Sequence, residues 1–202
     1  SINFTSNYFN SSSLIDPTNK PYFNKEMKTF FLDYLFEKQN QDGSFSNIPG
    51  AGTLFTTYQV IRTIDLLNSS YLDAKNDSSK IIKIYGYINA CLSDNRRGYR
   101  SNPLVNYSDI ISTYSAIYLA DRFNFSSIFQ NENLTNYIND LGFFGGYSLS
   151  VGLPRSAEAT YYGIKAYFGL NKSYDTFTKN SHYTYLLGLY NIDGGFCSNF
   201  VL

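Results

Sequence analysis

The side chains that could do chemistry in this sequence are few, and their spacing matches no metal or catalytic set. The sequence has one histidine, His182, and two cysteines, Cys91 and Cys197. Metal sites need several such ligands at short, characteristic spacings. We therefore predict no catalytic residue, no metal and no cofactor, and we interpret His182 as a partly exposed surface histidine.

Two carboxylates, Asp109 and Glu158, lie near the starts of predicted helices. A catalytic acid needs a raised pKa, which comes from neighbouring carboxylates or apolar walls. Each of these carboxylates is single, and a carboxylate at a helix start caps the helix or stabilises its dipole. We favour the capping role, with acid catalysis as the alternative. Asp42 and Asp193 are interpreted as turn residues.

The composition excludes several classes of partner. Lysine plus arginine equals aspartate plus glutamate, at 16 each, so no global field draws the chain to nucleic acid, acidic lipid or an acidic substrate. Arg96, Arg97 and Arg100 form a local basic turn that we expect to be solvated. No apolar run of about eighteen residues occurs, so we predict no membrane span.

Sequons and cysteines bear on the compartment. Eight sequons favour an extracellular or cell-surface protein, with a cytoplasmic location as the alternative. Cys91 and Cys197 could pair in an oxidising compartment, but we favour two buried free thiols. The chain begins at Ser1 without a signal peptide, so we expect a processed or recombinant piece. The sequons are at Asn3, Asn10, Asn68, Asn76, Asn106, Asn124, Asn133 and Asn171.

The elements that position these residues are predicted to be pairs of helices joined by glycine turns. The helix that begins at Lys25 places its apolar side chains on one face, which is typical of a half-exposed, outer helix. The next helix, Thr53 to Leu67, is apolar nearly all round and should be an enclosed, inner helix. Further outer helices are predicted near Lys80 to Cys91, Glu132 to Leu141 and Tyr183 to Leu189, and further inner helices from Ser108 to Arg122 and from Ser156.

Each outer helix leads into a glycine turn that carries an aromatic residue. The turn glycines Gly43, Gly98, Gly146 and Gly195 are 55, 48 and 49 residues apart. A period near 50 built from helix pairs predicts stacked units that share one core. In three turns the aromatic residue precedes a helical threonine by 12, 14 and 13 residues, as Phe45 to Thr57, Tyr99 to Thr113 and Tyr147 to Thr160.

The chain is divided into an N-terminal arm, residues 1–24, and a helix-pair domain, residues 25–202. An Asn-x-Ser ends each inner helix, at Asn68, Asn124 and Asn171. Because Asn tolerates the left-handed conformation that ends a helix, we interpret these residues as caps first and glycan sites second.

Two stretches resemble the repeats of protein prenyltransferase β subunits and of squalene or terpenoid cyclases. They are Gln39-Asn40-Gln41-Asp42-Gly43-Ser44-Phe45 ahead of Thr56-Thr57-Tyr58, and Gly145-Gly146-Tyr147 ahead of Ala159-Thr160-Tyr161. The resemblance covers residues from about 25 to 200. It implies an all-α fold, a partial α/α toroid of about three and a half helix pairs, in which inner helices line a funnel and outer helices ring them.

The functional residues that this resemblance implies are absent. The prenyltransferases bind zinc through an Asp and a Cys on one inner helix and a His on a later one, but the predicted inner helices here hold no Cys and no His. The cyclases protonate an alkene with an Asp-x-Asp-Asp cluster, which this sequence lacks. We therefore lean towards a protein that is not an enzyme.

The inner helices still predict an aromatic lining. In the related enzymes such a lining holds an isoprenoid or a peptide, so an apolar small molecule is one possible ligand. The alternative, which we favour, is that the rings fill the centre as a solid core. The candidate lining residues are Phe55, Tyr58, Arg62, Tyr114, Tyr118, Arg155, Glu158, Tyr161 and Tyr162.

The predicted ring is incomplete, because its fourth helix pair lacks an inner helix. An open arc exposes the apolar side of its last unit unless that side is capped, and the final residues, Phe200-Val201-Leu202, are not a polar cap. The remainder of a larger protein, a second chain or the N-terminal arm could cover the gap, and we favour the first two.

These observations leave two hypotheses for function. The first is a non-catalytic α/α-toroid module for protein recognition or assembly, in a surface or secreted protein. The second is an enzyme or carrier for an isoprenoid or other apolar ligand, completed by residues outside this chain.

Overall fold

The structure is a computed structural model that describes residues 25–75, 77–95, 97–129, 132–190 and 197. Within these ranges the chain forms nine helices and three short strands, which confirms the predicted all-α class. The predicted N-terminal arm, the fourth glycine turn at Asp193-Gly194-Gly195 and the ending Phe200-Val201-Leu202 lie outside the described residues.

Outer and inner helices alternate along the chain, as predicted for a partial α/α toroid. The inner helices lie side by side, with the second packed between the first and the third. The outer helices are α1 (Lys25–Glu37), α4 (Ser78–Ala90), α7 (Glu132–Leu141) and α9 (Thr176–Gly188). The inner helices are α2 (Leu54–Leu67), α5 (Ile110–Phe123) and α8 (Ala157–Gly169), and the short helices α3 (Tyr71–Lys75) and α6 (Ser126–Phe129) follow the first two inner helices.

The three inner helices begin with the same kind of cap. The side chains of Thr53, Asp109 and Ser156 each accept a hydrogen bond from the backbone N–H three residues later, at 3.0, 2.7 and 3.0 Å. Such a bond satisfies one of the N–H groups that a helix start leaves unpaired. The capping role predicted for Asp109 is confirmed.

The ends of the inner helices agree with the sequence in two cases of three. Asn124 and Asn171 have φ of 58° and 56°, the left-handed conformation expected of a terminating Asn. Asn68 is the C-cap of α2, as predicted, but its backbone is extended, with φ of −159°, rather than left-handed. Its side-chain oxygen accepts the Ser70 hydroxyl at 2.9 Å and opens a turn into α3.

A threonine of each inner helix holds the preceding turn. The backbone N–H groups of the turn aromatics donate to the threonine hydroxyl oxygens, and all three threonines are buried. The regular aromatic-to-threonine spacing in the sequence therefore reflects one repeated hydrogen bond. The pairs are Phe45 with Thr57 at 3.1 Å, Tyr99 with Thr113 at 3.0 Å and Tyr147 with Thr160 at 2.9 Å.

The third turn contains a small antiparallel sheet that the sequence did not reveal. Its strands are β1 (Gly142–Phe143), β2 (Gly146–Ser148) and β3 (Arg155–Ser156), in the order β1-β2-β3, with Tyr147 opposite both Gly142 and Ser156. The first turn has the same layout reduced to isolated bridges, with Phe45 opposite both Gln39 and Thr53. Strands this short carry no sequence pattern of their own.

Glycine is required in the first and third turns by both conformation and space. Gly43 and Gly145 have φ of 96° and 82°. A Cβ at these positions would lie 2.0 Å from the carbonyl oxygens of Lys83 in α4 and Ser181 in α9. The structural equivalent of Gly43 is therefore Gly145. The spacing of the turn glycines in the sequence had paired Gly43 with Gly146 instead.

The helices also carry polar cross-links. Arg122 of α5 donates through Nε to both carboxylate oxygens of Asp65 in α2, at 3.0 Å each, and both side chains are largely buried. This pair joins two adjacent inner helices beside the apolar core. Among the helices of the described residues, none is long and apolar enough to cross a membrane.

Candidate functional site

Five of the predicted lining rings meet at the centre of the inner helices. We call Phe55, Tyr58, Tyr114, Tyr118 and Tyr162 the inner aromatic cluster. The ring centroids of Tyr58 lie 4.9 Å from Tyr118 and 5.3 Å from Tyr114, and those of Tyr162 lie 5.6 Å from Tyr114 and 5.9 Å from Phe55. These are the separations at which aromatic rings attract one another, and the Tyr58 pairs and the Phe55–Tyr162 pair meet edge to face. Tyr58 and Tyr114 are buried in the cluster, whereas Phe55, Tyr118 and Tyr162 are half-buried at its surface.

The polar ends of the cluster are hydrogen-bonded within it. Arg62 donates through an Nη to the Tyr58 hydroxyl at 2.9 Å, and the Tyr114 hydroxyl is hydrogen-bonded to Tyr58. Burial, followed by the bond to Tyr58, raises the pKa of Tyr114 above its ordinary value, so this ring stays neutral. Arg62 is thus a polar anchor of the cluster.

The other three predicted lining residues lie outside the cluster. Tyr161 is 47% exposed and contacts only its edge, with its ring 5.0 Å from that of Tyr162. Glu158 is exposed in the first turn of α8, where its charge favours the helix dipole. Arg155 donates to the carbonyls of Phe143 and Phe144 at 3.2 and 3.0 Å and lies over the Tyr185 ring.

The residues that the structure describes do not fit the zinc site that the resemblance implies. Within the described ranges, no three His, Cys, Asp or Glu side chains lie close enough to share a metal ion. His182 lies in α9, as expected, but it is only 8% exposed, so its prediction as a surface residue was wrong. Its Nδ1 is hydrogen-bonded to the Gly145 carbonyl, and its ring contacts those of Tyr147 and Tyr174.

Cys91 is not a candidate for a reactive site. Cys91 is a buried free thiol, and burial raises its pKa to about 12, which leaves little thiolate at neutral pH. Cys197 is half-buried, so the prediction of two buried free thiols holds fully only for Cys91.

A second region, beside the second turn, was not predicted from the sequence. We call it the turn cavity, a space of about 390 Å³ between the turn after α4, the loop before α5, α7 and the loop after β2. Arg100 lines it with a side chain only 14% exposed, so the expectation of a fully solvated basic turn was wrong for this residue. Its other lining residues include Arg97, Tyr107, Ser108, Tyr137, Ser150 and Val151.

A third region is a groove on the surface of α9. It measures about 510 Å³ and lies between α9 and the turn that joins β1 to β2. Phe144 and Phe177 face it with rings that are largely exposed, and Arg155 lies at its wall. Exposed aromatic side chains that line one groove are typical of protein contact surfaces.

Comparison with known proteins identifies the fold. No protein-family model matches the chain, and no curated protein matches it in sequence. Among solved structures it is similar to Candida albicans protein geranylgeranyltransferase-I complexed with GGPP, with a TM-score of 0.68 and 16% identity. The match covers 88% of this chain and 59% of that one. The chain has a prenyltransferase-like fold.

Proposed function

We propose that this chain is a non-catalytic α/α-toroid module that recognises or assembles with another protein chain. The observation that carries the proposal is the inner aromatic cluster. Where an enzyme of this fold would need room for a substrate, the rings of Tyr58, Tyr114 and Tyr118 are in contact with one another. A centre filled in this way stabilises the fold and offers no reaction site.

The recognition part of the proposal rests on the surface of α9. Gly43 packs on the backbone of α4 and Gly145 packs on that of α9, so each of these turns is covered by the next outer helix. Beyond α9 the described residues contain no further helix. Phe177 is 81% exposed there, and Tyr183 and Leu187 of the same helix are also exposed. We infer that helices of a second chain pack on this face as α9 itself packs on the third turn.

The rival function is that of an isoprenoid-binding or isoprenoid-transferring protein. The fold supports this alternative, because the similar structure is a geranylgeranyltransferase bound to GGPP. It would require the cluster to open and its rings to separate around a ligand. The loss of the ring contacts and of the Arg62 hydrogen bond makes this costly, and we therefore place it second.

A secreted or cell-surface location forms part of the proposal. Asn106, Asn124, Asn133 and Asn171 are exposed sequon residues, so glycans could be attached to them without unfolding. Intact mass measured before and after peptide N-glycosidase treatment tests this point. A loss of glycan mass is expected, and an unglycosylated chain from its native cells would contradict the location.

Cross-linking in the native cells tests the recognition function. We expect a partner protein to be cross-linked to Lys179, which is exposed on α9. The F177S variant should lower its recovery by about tenfold or more, since central aromatic anchors of an interface contribute about 2 kcal/mol or more. L104S is the matched control, because Leu104 is also highly exposed but lies in the loop before α5.

Two outcomes would overturn the proposal. One is a monomer by light scattering with no partner cross-linked to Lys179 in cells. The other is an equal loss of the partner in F177S and L104S, which would indicate non-specific adhesion of exposed apolar residues.

A further inference from the structure

Two residues that line the turn cavity carry buried hydrogen-bond donors for which the described residues supply no acceptor. Tyr137 of α7 is only 4% exposed, and its hydroxyl has no hydrogen-bond partner among the described residues. The Nε–H of Arg100 is likewise buried and unpartnered within that part of the chain. Buried donors are nearly always satisfied in folded proteins, so two of them on residues that line one cavity favour an acceptor bound beside them.

The Arg100 guanidinium is also poorly matched in charge. One Nη donates to the carbonyls of Ala90 and Leu92, at 3.2 and 2.9 Å. Its ion pair with Asp94, which also lines the cavity, is long at 3.7 Å, and the Asp94 side chain is 97% exposed and therefore screened by solvent. A largely buried cation whose one carboxylate partner is distant and solvated favours a bound anion.

The remaining charges near the cavity are mutually satisfied. Arg97, which also lines the cavity, forms an ion pair with Asp140. The buried Asp109 accepts the Ser112 N–H and the Ser112 hydroxyl, each at 2.7 Å. Burial and the nearby Asp109 raise the pKa of Tyr137, which keeps its hydroxyl protonated as a donor.

We propose that the turn cavity binds the oxyanion group of a small molecule, a carboxylate or a phosphate, between Arg100 and the Tyr137 hydroxyl, with Arg97 contributing only longer-range attraction. Its volume of about 390 Å³ exceeds the needs of a bare phosphate. Tyr107 and Val151 add exposed apolar surface to the lining, which suits an organic group attached to the anion. This site is separate from the α9 surface, and its failure would leave the proposed function untouched.

Isothermal titration of the purified chain tests this site, with inorganic phosphate, acetate and phenyl phosphate as probes at constant ionic strength. We expect saturable binding of at least one probe with one site per chain. Tighter binding of phenyl phosphate than of phosphate would identify an organic anion as the ligand. Stronger binding of phosphate would identify the free ion, and a preference for acetate would identify a carboxylate.

Four variants sharpen the test. Y137F removes only the unpartnered hydroxyl and should weaken binding by about tenfold, the effect of one hydrogen bond to an anion. R97Q should weaken it by a smaller factor, and D94N should strengthen it, because a negative charge is lost beside the anion. Y85F is the matched control, since Tyr85 lies in α4 with its hydroxyl on Ser127 of α6.

The proposed site is excluded if none of the three probes shows saturable binding in the calorimeter. It is also excluded if Y137F, folded by circular dichroism, binds the probe as tightly as the unaltered chain, because the hydroxyl is then satisfied by water alone. Weaker binding in D94N would show that the cavity does not select anions.

Discussion

The inner aromatic cluster and the turn cavity both contain buried tyrosines, but the hydroxyl groups of these tyrosines differ in whether they have hydrogen-bond partners. In the cluster, Tyr58 accepts from Arg62 and is hydrogen-bonded to Tyr114. Beside the cavity, the Tyr137 hydroxyl has no partner among the described residues, although Tyr137 is as buried as Tyr58. A satisfied, closely packed group contributes to stability, whereas an unsatisfied donor beside a cavity costs stability and points to a ligand.

The difference shows where ligand binding is to be sought in this molecule. The fold draws attention to the centre of the inner helices, where in this chain five aromatic rings contact one another. The polar, open space lies instead at the second turn, where Arg97 and Arg100 follow α4 and line the same cavity as α7. Fold similarity alone does not identify the region that binds a ligand, and the proposed site lies at the turn cavity.

The largest effect that separates the two regions is expected from Y114A. Tyr114 is 5% exposed and contacts three rings of the cluster, so its truncation should leave a cavity and lower the free energy of unfolding by about 3–5 kcal/mol. The matched control is Y161A at the exposed edge, expected to cost less than about 1 kcal/mol. Urea denaturation measures both, and equal small losses would mean that the centre is an open, adaptable cavity.

A smaller effect is expected from T113V, which connects the two regions. Thr113 lies in α5 beside Tyr114, and its hydroxyl oxygen accepts the Tyr99 N–H in the turn that carries Arg97 and Arg100. Valine would leave that buried N–H unpaired, which should cost about 1–3 kcal/mol. T63V on α2 removes only a bond within its own helix and is the control. Urea denaturation that finds no loss in T113V would show that the turn is held by packing alone.

The smallest effect compares two tyrosine-to-phenylalanine changes directly. Y58F removes a hydroxyl that serves Arg62 and Tyr114, so the free energy of unfolding should fall by about 1 kcal/mol. Y137F removes a hydroxyl without a partner and should be neutral within about 0.5 kcal/mol, or slightly stabilising. Thermal unfolding of both variants measures the difference. A reversed order would contradict the distinction between the two regions.

Much of this architecture could be predicted from the sequence because it repeats. The alternation of half-exposed and apolar helices predicted the outer and inner helices, and most predicted helix ends lie within a few residues of the observed ones. The prediction agrees closely with the observed bounds of α1 and α7. The near-constant spacing of pairs such as Tyr99 and Thr113 supported the alignment of the repeats, and the structure shows that it reflects a hydrogen bond. A repeated pattern averages out local ambiguity and so strengthens the prediction.

What could not be predicted depends on the meeting of distant segments. The three-stranded sheet at Gly142–Ser156 arises from pairings between strands too short to carry a pattern. The turn cavity is lined by both Arg100 and Tyr137, which are far apart in the sequence. His182 is buried because its Nδ1 meets the Gly145 carbonyl. A search of the sequence for basic residues in the turns would have found Arg100 but not Tyr137.

Titration with geranylgeranyl diphosphate tests the central claim most directly, namely that the centre of the inner helices is a packed core. The experiment is done by calorimetry with excess inorganic phosphate, which would compete for the turn cavity. The account predicts no saturable binding up to about 100 µM, the range in which a specific ligand would be detected. Saturable binding of one molecule per chain, abolished by Y58F or weakened by Y118A, would show that the inner aromatic cluster opens to hold an isoprenoid.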